Sequence, residues 1–198
     1  MISAIKEIED ILIDNFTCVN VFCPDSKISS SDHTFGYMSV LENILHLLDN
    51  HQISYIQTHH EPTLTSEDSA RVRGEDLSSG AKAIVYKVQD EFCLFVLAAD
   101  RRLDPKKIKT YFKSLGKRVK KTRFATREEL ITQTGLVPGS VPPFGKPILP
   151  YTLYIDRSLL ANTHISFNAG SLTDSLKLSL EDYVSISTGV VVDVISHD

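Results

Sequence analysis

Gly80-Ala81-Lys82-Ala83-Ile84-Val85-Tyr86 is the stretch on which the reading of the chain turns. Small residues lead into a β-branched run, the composition of a buried strand. The run extends to Val88, and Phe92–Ala98 repeats its character beyond Gln89-Asp90-Glu91, so two strands flank a turn. Lys82 stands inside this apolar setting. Its ammonium must either snorkel to water or stand at the lip of a pocket.

Upstream, Val40, Leu41, Ile44, Leu45, Leu47 and Leu48 fall at helical spacing, and Ser54–Thr58 reads as a strand. Thr65 is a candidate cap for a helix to Arg73, with Asp68 three residues on. Downstream, Asp104 caps a basic helix opened by Pro105. Thr126-Arg127-Glu128-Glu129 has capping-box spacing for another helix. A Pro/Gly loop follows at 135–150, then strands Thr152–Ile155, His164–Asn168 and Ser175–Ser179. The pattern predicts one mixed α/β domain over 37–198. Residues 1–36 read as an appendage, with an amphipathic helix over 2–15 and a polar linker ending near 36.

With 198 residues, 42% apolar and 23% charged, the chain can bury one sizeable core. Neither a signal peptide nor an apolar stretch of about 20 residues is visible, so a cytoplasmic protein without membrane contact is expected. Three cysteines argue against a disulfide framework. Cys18, Cys23 and His33 lack the short paired spacing of a zinc site, and Cys93 reads as core. No metal or other cofactor is expected.

The net charge of −4 conceals a strong asymmetry. Residues 101–127 hold 12 basic residues against one acid, Asp104, while the remainder holds 9 basic and 24 acidic. Arg101, Arg102, Lys106, Lys107, Lys113, Lys117, Arg118, Lys120 and Lys121 are the candidate contacts to a phosphate backbone. A solvated helix face is the alternative. Such a stripe supplies affinity for phosphates without sequence specificity.

The loop 135–147 carries Gly135, Gly139 and Gly145 among Pro138, Pro142, Pro143 and Pro147. Proline fixes φ and glycine permits close approach, so the amides of Gly139, Ser140, Val141, Phe144 and Gly145 are candidate pre-aimed donors. An ordinary rigid connection is the alternative. His60, at a strand end, is a candidate acid/base or ligand-facing group, or a structural one. Asn168-Ala169-Gly170-Ser171, with Asp174 and Ser175, reads as a hairpin turn or as a polar pocket wall. No Ser-His-Asp or Cys-His set stands out.

Thr58–His60, Arg73-Gly74, Gly80–Val85, Leu97-Ala98-Ala99-Asp100, Gly139–Phe144 and Phe167-Asn168-Ala169-Gly170 together resemble the YbaK/ProX family over residues 38–187. These are free-standing relatives of the editing domain of prolyl-tRNA synthetase, and the YeaK-like, serine/threonine-directed ProXp branch is the most similar. The resemblance implies a mixed, barrel-like sheet surrounded by helices, and hydrolysis of the ester of mischarged aminoacyl-tRNA. It maps the essential lysine onto Lys82 and the Gly-x-x-x-Pro loop onto Gly139 to Pro143. Substrate contacts are expected from His60, Pro143, Phe144, Asn168, Ala169, Gly170, Asp174 and Ser175. YbaK-type members often carry Ser where Asn168 stands and an aspartate close to Asp174 or Ser175, so the resemblance leaves the register of that late segment open.

With no protein nucleophile in view, direct attack by water, positioned partly by the terminal ribose hydroxyl, is the expected route. Asn168, Ser171 and Thr173 are candidate readers of a serine or threonine hydroxyl. Removal of alanine from tRNA(Pro), or a non-catalytic tRNA- or synthetase-binding module, are the competing readings. Aminoacylated tRNA and, secondarily, an aminoacyl-tRNA synthetase are the expected partners, with no role for DNA.

Overall fold

The structure, a computed structural model, describes residues 38–196. The expected helix at 2–15, the boundary near 36 and the Cys18, Cys23 and His33 positions lie outside the described residues. Elements run in the order α1 (Val40–Asn50), β1 (Tyr55–His59), α2 (Ser66–Arg73), β2 (Ala81–Val88), β3 (Glu91–Ala98), α3 (Pro105–Ser114) and β4 (Thr122–Phe124). Then come α4 (Arg127–Thr134), β5 (Thr152–Asp156), β6 (His164–Asn168), β7 (Asp174–Ser179), α5 (Leu180–Ile186) and β8 (Val190–Val192). No described helix is long and apolar enough to cross a membrane.

The strands form two sheets. One is mixed, in the order β4-β2-β3-β5-β8, and the other antiparallel, β1-β7-β6. Among the described residues one parallel bridge, Gly80 to Ser166, links them. The barrel-like closure expected from the resemblance is therefore not realised. Closure needs a continuous ladder between end strands, and here a single rung takes its place while the sheets splay apart over a shared core.

Alternation along the strands explains the layering. Val85, Leu94, Val96, Leu153 and Ile155 face the small sheet, meeting Ile165, Phe167, Leu176 and Leu178 together with Ile44 and Leu48 of α1. On the opposite face Tyr86, Val88, Cys93, Phe95 and Tyr154 pack under Ile108 and Phe112 of α3. Buried on both faces, β3 reads as a nearly unbroken apolar run. Cys93 sits in this layer, and burial pushes its thiol up to about 11. Isolation from solvent makes it packing, not chemistry.

The caps form as the sequence predicts. Thr65 accepts from Asp68 N, Asp104 from Lys106 N, and Thr126 and Glu129 make a reciprocal box. Glu129 also takes both terminal nitrogens of Arg123 at 2.7 Å, tying β4 to the start of α4. Those bonds from Arg123, aided by the Thr126 amide, hold its carboxyl at about 2. A depressed carboxyl contributes stability above its unfolded value near 4.5, and that contribution disappears as pH falls through the folded value. Glu129→Gln should thus lower the thermal midpoint near neutrality, with the difference from wild type shrinking between pH 4.5 and 2. Thermal melts across that window check it; a constant difference would contradict the account.

Candidate active site

A cleft of about 320 Å3 opens where the two sheets diverge. Its walls come from the residues before α2 (Thr63 to Ser66), the start of β2, the end of β4, the 138–141 loop and the end of β6. Lys82 lines it, half-buried on β2. The Lys82 ammonium donates to the carbonyl oxygen of Ala99 at 2.8 Å and to that of Arg101. Burial pulls its pKa below the ordinary lysine value, partly opposed by the nearby charges of Glu67 and Asp100. Gly80 makes this arrangement possible: a Cβ there would meet Ala99 Cβ at 3.0 Å, and the Gly80 carbonyl accepts from Ala99 N at 2.8 Å. The end of β3 is thereby drawn up beside Lys82.

The facing loop is built as a turn. Ser140 N donates to Val137 O at 3.1 Å across Pro138 and Gly139, and Gly139 has φ +92°. Proline followed by a positive-φ glycine is the signature of a type II turn. Asn168 Nδ2 donates to Gly139 O at 2.9 Å, and Gly170 N to Ser140 O at 3.0 Å. These bonds hold the turn from below. Ser140 is 1% exposed, and its hydroxyl is bound to Val137 as well, so its amide is not a free donor. Gly139 and Val141 line the cleft, and their N–H groups have no acceptor among the described residues.

Several expected substrate contacts stand behind the wall. Phe144 is 2% exposed and packs edge-on against Phe167 and Tyr183, while Pro143 O accepts from Tyr183 Oη at 2.7 Å. Ala169 is fully buried, and Gly170 lies against Val40. His60 Nε2 meets Ser175 Oγ at 2.7 Å, and Ser175 donates to Asn168 Oδ1 at 3.1 Å. Neither His60 nor Ser175 lines the cleft. They orient the Asn168 amide, whose Nδ2 also reaches Thr63 Oγ1 at 3.3 Å. Ser171 and Thr173 do not form a hydroxyl-reading wall; both turn onto the Asp174 carboxylate, at 2.6 and 3.1 Å, with His59 on its other oxygen. Carboxylates attract nearby donors strongly, and this cluster closes the β6–β7 turn.

Unforeseen from the sequence are Thr63, Ser66 and Ser69 on the cleft wall, and the bearing of Arg73 on it. Arg73 is nine-tenths buried and donates from Nε to Ser69 O at 2.9 Å, while its Nη1 is buried without an acceptor. Burial lowers its pKa. Its place in an Arg-Gly pair was visible, but the inward aim of a helix-terminal arginine leaves no signal in sequence.

The basic segment divides over the surface. Lys107 pairs with Asp193, Lys117 with Glu91 and Arg101 with Asp100. Lys106 and Lys107 border one depression near Arg157, while Lys113, Lys117, Arg118 and Lys120 border another at the end of α3. Arg101, Arg102 and Lys121 are exposed. Arg101 reaches the Lys82 site through its main-chain carbonyl.

A half-buried ammonium facing a proline-stiffened loop across a cleft has the chemistry to stabilise negative charge. The chain belongs to the aminoacyl-tRNA editing domain family, whose model matches residues 60–186. It is 29% identical over 158 residues to the Multifunctional Ser/Thr-tRNA deacylase ProXp-y of Escherichia coli (strain K12), covering 77% of this chain and 90% of that one. It is 30% identical over 132 residues to the uncharacterized protein YwhH of Bacillus subtilis (strain 168), covering 66% and 80%. Among solved structures, the hypothetical protein APE2540 superposes with a TM-score of 0.68 at 24% identity, over 78% of this chain and all of that one. A candidate trans-editing enzyme for prolyl tRNA synthetase gives 0.65 at 21%, over 81% and 99%. These two establish likeness of fold.

Proposed function

We propose that this protein is a trans-editing hydrolase that cleaves the ester of mischarged seryl- or threonyl-tRNA. The observation that carries the reading is the Lys82 ammonium, fixed on two main-chain carbonyls within a cleft that also presents Gly139 and Val141. A cleft of about 320 Å3 admits an aminoacyl ester but not a tRNA stem, so the bulk of the RNA rests outside. Hydrolysis of an ester builds charge on its carbonyl oxygen, which a positioned cation and unpaired amides stabilise.

Among the described residues, no histidine, cysteine, aspartate or glutamate lines the cleft to attack or to activate a hydroxyl. Ser140 is buried and bonded, and the serine of the His60–Ser175 contact is 2% exposed. Water is the attacking group in this reading, since the cleft hydroxyls have no activating base on its lining. Ser66 lines the cleft with a hydroxyl that has no partner among the described residues, and it suits the reading of a hydroxylated side chain. A pocket bonding a substrate hydroxyl rejects an analogue lacking it more strongly than an apolar pocket can.

Release of amino acid from Ser-, Thr- and Ala-charged tRNA tests the reading. Faster release from the hydroxylated pair supports it; preference for alanine would shift the assignment to an alanine-removing deacylase. No release with tRNA still bound would favour a binding module, with tRNA or a synthetase as partner. If the 101–127 cations hold phosphates, the tRNA dissociation constant should rise steeply with salt. Four contacts would give roughly a hundredfold loss for a fourfold increase in salt. Titrations at two salt concentrations check this, and flat affinity would remove the basic segment from the interface.

A further inference from the structure

We infer that Phe124 is the stacking platform for the 3′-terminal nucleobase of the bound RNA, an inference that rests on the proposed aminoacyl-tRNA substrate. Phe124 lies on edge strand β4, is 60% exposed and lines the same cleft as Lys82. Leu64, 73% exposed, lines it too. Large apolar side chains left this open cost solvation unless something covers them, and a pair on one cleft marks a binding surface.

The phenyl ring is also held in place. Tyr86, 2% exposed, packs against it at a centroid distance of 5.2 Å and 87° between planes. The backbone is pinned by register with Tyr86, by Ala125 N to Val85 O at 2.9 Å, and by the Arg123–Glu129 fork. An exposed aromatic so braced binds without losing much rotamer freedom.

Chemistry selects the occupant. In an aminoacyl-tRNA the esterified ribose carries its base directly, so a carbonyl placed near Lys82 brings that base to the cleft wall. Lys82 supplies positive charge on that cleft for the adjoining phosphodiester, whereas Arg73 already has Glu75 at 4.0 Å. A base offers an aromatic face and stacks on a phenyl ring regardless of sequence, which suits an end common to all tRNAs.

The test uses serine-charged tRNA with either an intact or an abasic 3′-terminal nucleotide, the full chain, and Phe124→Leu and Phe124→Tyr. Stacking predicts that wild type loses about tenfold in kcat/KM on the abasic substrate, chiefly through KM. Phe124→Leu should lose the same on the intact substrate yet match wild type on the abasic one, and Phe124→Tyr should keep full activity. Equal losses on both substrates would assign Phe124 to structure or to another contact and overturn the inference, as would no loss. If wild type releases neither serine nor threonine from its charged tRNA, the editing substrate is wrong, and binding of uncharged tRNA still decides. Loss of the terminal base must then weaken wild type but leave Phe124→Leu unchanged; identical losses would refute stacking.

Discussion

Lys82→Ala should abolish release of serine and threonine from tRNA, lowering kcat/KM by at least about a hundredfold, the usual cost of one charge-stabilising donor. Removal of the ammonium leaves the carbonyls of Ala99 and Arg101 without their shared donor and the cleft without its half-buried cation. Lys82→Met, of similar length, separates charge from bulk and should be as inactive. Because the protonated form is the donor, activity should fall as pH rises through the Lys82 pKa. Burial lowers that pKa, so the alkaline limb should lie below the ordinary lysine range. Single-turnover rates against pH, corrected for spontaneous ester hydrolysis, give the limb. Substantial activity in either variant would remove Lys82 from the chemistry.

Asn168→Ala should be the most damaging substitution among residues that act through others. The Asn168 side chain connects Gly139 O, Thr63 Oγ1 and Ser175 Oγ, and is 8% exposed. Its loss strands buried partners at about 1–3 kcal/mol each before relaxation. It also releases the Gly139 carbonyl that fixes the turn. We expect a stability loss of about 2–4 kcal/mol and a tenfold or larger fall in kcat with KM little changed. Asn168→Ser, which keeps one donor, should recover part of both. Denaturant unfolding and kinetics on the same preparations check the pairing; lost stability with full kcat in the folded fraction would confine Asn168 to the fold.

Much of this was legible because it is local. Thr65, Asp104 and Thr126 announced their helices through side chains that bond amides two or three residues away. The Ala83–Val88 and Phe92–Ala98 strands are legible from runs that only burial on both sides requires, and the structure starts them at Ala81 and Glu91. Three elements escaped. β4 and β8 are three residues each, too short for a period to register. α5 carried a readable cap, since Ser179 accepts from Asp182 N, but its seven residues follow β7 directly and blurred into it. At the site, Lys82 and the 139–141 loop betrayed themselves by composition out of place. The roles of Ser171 and Thr173 did not, because a carboxylate three residues or fewer away competes for hydroxyls that sequence alone leaves free. The Ser140 amide differs from expectation for a similar reason: the type II turn consumes it.

Among the described residues, the single rung between the sheets sits close to the chemistry of the cleft. From the Gly80–Ser166 bridge, two residues along each strand reach Lys82 and Asn168, both on the cleft. The cleft thus opens beside the bridge, between residues of both sheets. Core substitutions such as Phe167 or Val141, which reach the cleft from behind, can therefore change which residue fits without touching the lysine. Such an architecture lets the fit of the cleft be retuned from the core while Lys82 keeps its place.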